Sequence, residues 1–534
     1  METIMAVKFT YMPHNGNELF TIFVTPEKPG KYPTVIVRSP YEAHHKEMSD
    51  EELMDYMEKV YSKWPKNGYV FVVQDCTGTG RSTGDSDAFV YEHSESRALL
   101  DYVREQDFYN GEIFLTGGSY CGWVIASYAP YAEDIKGIIL EATDNDLYNF
   151  IYLNGFYRMN LHGQWYVDRF KRKSDINRNL DLKRFLTLPM TEYSKVTFGE
   201  ACPVIDEMFK NPKRDDPFWS TPDGGVHQIE AVKNAKIPIL ICAGFMDIFC
   251  GGGHVMWDSI SEENKKQSAM VVHAYHHGGT SEGQPVHFPA AELGNLMGDF
   301  ELRWFEHIRT GADSPAPLGK ITYYDLFDNN WYSEGYYDDG NSITYTLGNA
   351  EAEYDYDPRD PAPFEGGLSN NFGGTAYMDR DHGRADVITC YTDEFASDTH
   401  LRGRMTATLR VKSDCPDTAF YARIAVVKPE GDYAIRDTIV QLSNFTDDYK
   451  PGEYMNIELT FDPAAITVMR GEKLRVDLSS SAYPFFIPHT NNKGLFSIQD
   501  TARVAHNTID LAASALTVRY TDGEYSPLDF KREV

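Results

Sequence analysis

Short runs that alternate between apolar and polar positions open the chain. "VKFTYM", "ELFTIFVTP" and "YPTVIVRSP" are rich in β-branched and aromatic residues and are separated by the turn-like "PHNGN" and "EKPGK". They predict strands and hairpins. From Met48 the texture changes. Met48 to Lys66 is polar and helix-compatible, "GYVFVVQD" is a continuous apolar run of the kind a buried parallel strand needs, and Glu95 to Gln106 again suits a helix. "GEIFLTGG" as strand, "GWVIASYA" as helix, and "IKGIILEAT", "IPILICAGF" and "SAMVVHAY" as strands continue the alternation. Strands interleaved with helices predict a doubly wound, mostly parallel sheet.

Two segments depart from that rhythm. Residues 146–235, with the aromatic-rich "LYNFIYLNGFYRMNLHGQWYVDRFKRK", are read as a mainly helical insertion. "AAELGNLMGDFELRWFEHIRTGAD" then reads as an amphipathic helix with Gly311 as its stop. Beyond Pro315 the runs "KITYYDL", "SITYTL", "MTATLRVKS", "AFYARIAVV", "YMNIELTF", "EKLRVDLSS" and "ALTVRY" are short, β-prone and bounded by Gly, Asp, Asn and Pro. They predict an all-β sandwich or jelly roll. The expected division is therefore an α/β domain over 1–145 and 236–314, a helical cap over 146–235 and a β-sandwich over 315–534.

The chain's 534 residues allow two to four domains, and its 42% hydrophobic content is that of a globular protein. No stretch reaches the roughly 18 uncharged apolar residues of a membrane span, and the N-terminus lacks a basic leader, so a soluble chain without a secretory signal is expected. Seven cysteines with no CxxC spacing point to reduced thiols and a cytoplasmic setting. The formal charge of −30 argues against a nucleic-acid partner, whose phosphates demand Lys and Arg. A small-molecule or short-peptide substrate is expected, with self-association left open.

The candidate chemistry lies in "IFLTGGSYCGWVIASYAP" (113–130), where Gly117, Gly118 and Gly122 bracket Ser119 at a strand-to-helix junction. A nucleophile elbow needs this pattern. Its serine sits on a sharp bend that exposes Oγ and points the next backbone N–H, here that of Tyr120, at a developing oxyanion. Such an elbow expects an acid and then a histidine after later strands. Asp247 follows "IPILICAGF" and the pair His276 and His277 follows "SAMVVHA", with Asp144 and Asp146 as alternative acids. In that arrangement the imidazole takes the serine proton, the carboxylate orients the imidazole, and an acyl-enzyme forms. "CTGTGRSTG" lacks the G-K-[ST] ending of a phosphate loop and reads as a structural loop. His44-His45 and His276-His277 suggest a metal, but adjacent side chains are expected to diverge and no HExxH accompanies them, so neither metal nor cofactor is expected. Cys121 reads as packing rather than as a second nucleophile.

These motifs resemble the X-Pro dipeptidyl-peptidase and cocaine-esterase family of serine hydrolases. "VIVRSPY" is similar to the family's R-x-P-Y strand, "QDCTGTGRSTG" to its D-x-R-G-x-G-x-S-x-G loop with Thr77 in place of the usual arginine, and "GGSYCG" to its G-x-S-Y-x-G elbow. "GFMD" and "HAYHH" stand where the family has G-x-x-D and G-P-W-x-H, and "FDPAAITVMRGEKLRVDLSSSAYPFF" with "HTNNKG" resembles its jelly roll. The resemblance implies an α/β-hydrolase sheet with a cap and a C-terminal jelly roll. It implies Ser119, Asp247 and His277 as the triad, with His277 preferred over His276 by register, and the Tyr41 hydroxyl as an oxyanion donor beside the Tyr120 N–H. The expected activity is that of a serine esterase or amidase on a small acyl substrate. An X-Pro dipeptidyl-peptidase is the alternative, and a non-catalytic binding protein on the same scaffold a more distant one.

Overall fold

A computed structural model describes residues 5–126, 132–144, 146–159, 165–166, 188–198, 201, 203–220, 232–277, 288, 299–334, 340–368, 377–378, 380–521 and 527–528. The N-terminal runs form β1 (Met5–His14), β2 (Asn17–Pro26) and β3 (Tyr32–Ser39), followed by β4 (Val70–Asp75), β5 (Tyr109–Gly118) and β6 (Ile135–Glu141). A small hairpin, β7 (Tyr152–Leu153) with β8 (Phe156–Tyr157), precedes β9 (Ile239–Gly244), β10 (Ala269–His273), β11 (Ile321–Asp325) and β12 (Asn330–Glu334). Ten of these make one sheet in the order β1-β2-β4-β3-β5-β6-β9-β10-β11-β12. The pairs from β4 and β3 through β10 and β11 are parallel, and antiparallel pairs close both edges. Every residue of β4, β9 and β10 is buried, which is why those runs are continuously apolar rather than alternating.

Helices fall where the polar-apolar periodicity expects them. Asp50–Tyr61 begins at Ser49, whose side chain accepts the Glu52 N–H while Glu52 reaches back in a capping box. Glu92–Arg104 precedes β5, Tyr120–Ala126 follows it, and Glu301–Thr310 stops at Gly311 with φ +77°. Within the insertion, the described parts include helices Leu147–Ile151, Tyr193–Phe198 and Pro203–Lys210 beside the hairpin.

The C-terminal strands form an eight-stranded and a five-stranded antiparallel sheet, the all-β architecture expected. One strand joins a different sheet from the one expected. "KITYYDL" was expected to open the β-sandwich after residue 314, but as β11 it pairs in parallel with β10, and β12 extends the same first sheet to Glu334. Its β-prone composition cannot distinguish an edge strand of the first sheet from the first strand of the second domain. The junction is tied at the end of β11. Asp325 accepts from Thr467 Oγ1 at 2.9 Å and from the Arg402 guanidinium at 2.9 Å, and Leu326 exchanges backbone bonds with Ala465 and Thr467. A single buried apolar cluster includes residues of both parts. Among the described residues no helix is long and apolar enough to cross a membrane.

Candidate active site

The C-terminal ends of the parallel strands carry the candidate residues, where ligands bind in open α/β sheets. Ser119 stands between β5 and helix Tyr120–Ala126 with φ +55°, a left-handed conformation that an L-residue adopts only where its surroundings impose it. Its N–H donates to the Glu141 carbonyl at 2.9 Å, and its carbonyl accepts from the Trp123 N–H and from Thr143 Oγ1. The glycines let the bend close. A Cβ on Gly117 would lie 2.6 Å from the Cys121 carbonyl, and one on Gly122 would lie 2.8 Å from the Gly117 oxygen and from Thr143 Cγ2. Gly118 differs, because its Cβ would meet nothing nearer than Glu141 Oε2 at 3.5 Å.

Asp247 follows β9 in a turn that buries it completely. One carboxylate oxygen accepts the Phe249 N–H at 2.9 Å, and the other lies 3.0 Å from His277 Nδ1. A carboxylate only accepts, so Nδ1 carries the hydrogen and Nε2 keeps its lone pair for a proton. Burial pulls the His277 pKa down, but the charge and hydrogen bond of Asp247, with Glu141 nearby, outweigh it and leave the imidazole above its ordinary value. Burial instead lowers His276. The histidine next to Asp247 is thus the second of the pair. The alternative acids are engaged elsewhere: Asp146 caps helix Leu147–Ile151 and pairs with Arg214, while Asp144 accepts the Asp146 N–H and packs on Gly252.

Tyr41 lies just past β3, its N–H donating to Ser39 Oγ at 3.1 Å and its hydroxyl accepting from Trp165 Nε1 at 3.2 Å. Tyr120 opens its helix, so its N–H belongs to the helix N-terminus, while its buried side chain donates to Glu92 and accepts the Phe89 N–H at 2.9 Å. Cys121 is buried, and that burial pushes its thiol up to about 12, so thiolate is scarce. Of the insertion aromatics, Tyr148, Phe150, Tyr152, Phe156, Tyr157 and Tyr166 are buried. Trp165 is only partly buried and touches both Tyr41 and the Tyr120 ring.

Three neighbours were not singled out in the sequence. Glu141, at the end of β6, faces Gly118; burial and then Glu301 push its carboxyl up to about 7. Phe249 places its ring 5.4 Å from that of His277. Arg436, from the C-terminal domain, donates to the Phe245 carbonyl at 2.6 Å and so ties the turn that carries Asp247 to the second domain. An acidic residue ending a buried apolar strand was the only sequence signal for Glu141; the others have none.

The expectation that adjacent histidines diverge fails at residues 44 and 45. They lie in a 3₁₀ turn, Ala43–Lys46, with ring centroids 4.7 Å apart, and both Nε2 atoms lie 3.5 Å from the same Glu42 oxygen. In "CTGTGRSTG" the chain folds back onto β4: the Arg81 N–H donates to Asp75, and Ser82 Oγ donates to the Asp75 carbonyl while accepting the Phe20 N–H. It is a structural loop.

The family described as X-Pro dipeptidyl-peptidase (S15 family) matches residues 15–279, and the X-Pro dipeptidyl-peptidase C-terminal non-catalytic domain matches 319–515. The chain belongs to the X-Pro dipeptidyl-peptidase and cocaine-esterase-like family. This family member is 23% identical over 546 residues to the cocaine esterase of Rhodococcus sp. (strain MB1 Bresler), a match covering 90% of this chain and 92% of that one. Its fold is similar to that of an aminopeptidase from a marine sediment Thaumarchaeota archaeon, with TM-score 0.81, 16% identity and 97% of each chain covered. An α-amino acid ester hydrolase gives TM-score 0.79 at 16% identity, again over 97% of each chain. The family is one of hydrolases, esterases and peptidases of the serine-hydrolase type that act on small ester or peptide substrates.

Proposed function

We propose that this hydrolase is a serine esterase or amidase acting on a small acyl substrate, with Ser119 as nucleophile, His277 as base and Asp247 as its orienting carboxylate. The observation that carries this reading is the 3.0 Å contact between Asp247 Oδ2 and His277 Nδ1, joined to the left-handed Ser119 at the same edge of the sheet. Ser119 Oγ attacks the carbonyl carbon while His277 Nε2 takes its proton. The oxyanion is received by the Tyr120 N–H and the Tyr41 hydroxyl. His277 then returns the proton to the leaving alcohol or amine, and water repeats the sequence on the acyl-enzyme. Asp247 remains ionised throughout and stabilises the imidazolium. Trp165, bonded to the Tyr41 hydroxyl, positions that tyrosine.

Esterase activity is favoured because the relative matched over nine-tenths of both chains is named for cleaving an ester. The test is hydrolysis of p-nitrophenyl acetate and butyrate beside Gly-Pro-p-nitroanilide, with wild type and Ser119→Ala in parallel. Ester cleavage that disappears in Ser119→Ala, with little anilide turnover, is expected. Preference for the anilide would replace the esterase by the dipeptidyl-peptidase reading. Equal labelling of wild type and Ser119→Ala by a fluorophosphonate would refute Ser119 as nucleophile.

A further inference from the structure

We propose that Glu42, His44 and His45 form a binding site for a zinc-type divalent ion, separate from the candidate triad. The three residues follow Tyr41 directly. Glu42 Oε2 lies 3.5 Å from His44 Nε2 and 3.5 Å from His45 Nε2, and one ligand atom from each residue falls within 4.8 Å of the others. Zinc bonds of about 2.0–2.2 Å in a tetrahedron separate neighbouring ligand atoms by about 3.3–3.5 Å, so two of the three spacings already suit one ion.

The hydrogen bonding around His45 supplies a second, independent reason. His45 is fully buried, and its Nδ1 lies 2.9 and 3.2 Å from the two oxygens of Asp75, itself fully buried. Asp75 occupies Nδ1, so Nε2 is the nitrogen that His45 turns toward the Glu42 oxygen. A metal cation between Glu42 Oε2 and the two Nε2 atoms would coordinate all three. Both Nε2 atoms are buried and have no hydrogen-bond partner. A carboxylate orienting a histidine whose other nitrogen faces a metal is a recurrent arrangement around zinc.

The rest of the environment is compatible with such an ion. Glu42 Oε1 accepts from Ser39 Oγ at 3.0 Å, which leaves Oε2 for the ion, and the His44 ring lies edge-on to Tyr56 with centroids 5.0 Å apart. Arg81, which donates to the His45 carbonyl, directs its guanidinium to Asp50 and to the Met48 carbonyl. The His44 side chain is 35% exposed although its Nε2 is buried, so the three ligand atoms lie just beneath the surface. Because Ser39 Oγ also accepts the Tyr41 N–H, an ion here would be linked to the loop that carries the proposed oxyanion tyrosine.

The test uses the full chain, stripped with EDTA and dialysed, then titrated with Zn²⁺ against a chromophoric chelator. Wild type is expected to take one equivalent per chain with micromolar affinity or better, and Co²⁺ in its place should show the d–d absorption of a tetrahedral site. His44→Ala and Glu42→Gln, both at partly exposed side chains and checked for folding by circular dichroism, should weaken Zn²⁺ at least 10-fold. His277→Ala should bind as wild type does. The proposal is overturned if wild type takes up no Zn²⁺ at micromolar concentration. It is equally overturned if both Glu42→Gln and His44→Ala bind like wild type, or if only His277→Ala loses the ion.

Discussion

The contrast between Gly117 and Gly118 tests the account of the elbow most directly. A Cβ at Gly117 would sit 2.6 Å from both the carbon and the oxygen of the Cys121 carbonyl and 2.8 Å from the Gly122 nitrogen, about 0.8 Å inside ordinary van der Waals contact. Every one of those atoms is backbone, so no side chain can rotate away and the strand-to-helix bend must open. Overpacking of this kind costs about 1–3 kcal/mol. A displacement approaching 1 Å at a nucleophile costs on the order of 10²-fold in rate. Gly117→Ala should therefore lower the melting temperature and reduce kcat for p-nitrophenyl acetate about 10²-fold. Gly118→Ala, one residue nearer the serine, meets only Glu141 Oε2 at 3.5 Å, and its melting temperature should stay close to that of wild type. Thermal melts and steady-state kinetics on both variants decide the matter. A Gly117→Ala protein with the stability and kcat of wild type, or two variants equally damaged, would refute the steric reasoning.

Tyr41→Phe removes a proposed oxyanion donor and the acceptor of the Trp165 N–H; kcat should fall about 10²–10³-fold while the melting temperature changes little, and an unchanged kcat would remove Tyr41 from the site. The proposed base works only when neutral, and Asp247 and Glu141 hold its pKa above the ordinary value of 6.5. The acid limb of kcat/KM should accordingly have its midpoint above 6.5, and Asp247→Asn should shift it lower while reducing kcat about 10⁴-fold. Glu92, raised to about 7 by burial and by Glu95, binds its proton more tightly in the folded than in the unfolded chain. Its contribution is therefore fully present below the unfolded value of about 4.3 and is lost as pH rises through 7. Glu92→Gln should flatten the fall in melting temperature between pH 5 and 8, and an unaltered slope would show that Glu92 is already ionised in the folded chain.

Where sequence reading worked, the signal was local. The parallel strands could be read because a strand covered on both faces must be apolar throughout, as β4, β9 and β10 are. The tight strand-to-helix bend could be read because Gly117 and Gly122 lie within five positions of each other on either side of a left-handed serine. Where it failed, the deciding partner was distant in sequence. β11 joins the first sheet because β10, some fifty residues earlier, offers it an edge, and nothing in "KITYYDL" encodes that choice. The histidines at 44 and 45 were expected to diverge, yet Glu42 draws both ring nitrogens toward one oxygen and Asp75 holds one ring from behind.

By itself, then, the sequence determined the alternation of strands and helices, the all-β character of the C-terminal part, and the order in which a candidate nucleophile, acid and base follow successive strands. Those properties depend on side-chain period and turn chemistry, which act over a few residues. Only the tertiary structure decided which of two neighbouring histidines meets Asp247, which of several aromatic residues borders Tyr41, and how Arg436 of the second domain ties down the turn that carries the acid. Each of these is a contact between chain segments tens to hundreds of residues apart, and its geometry is set by packing the whole core rather than by any residue's own preference.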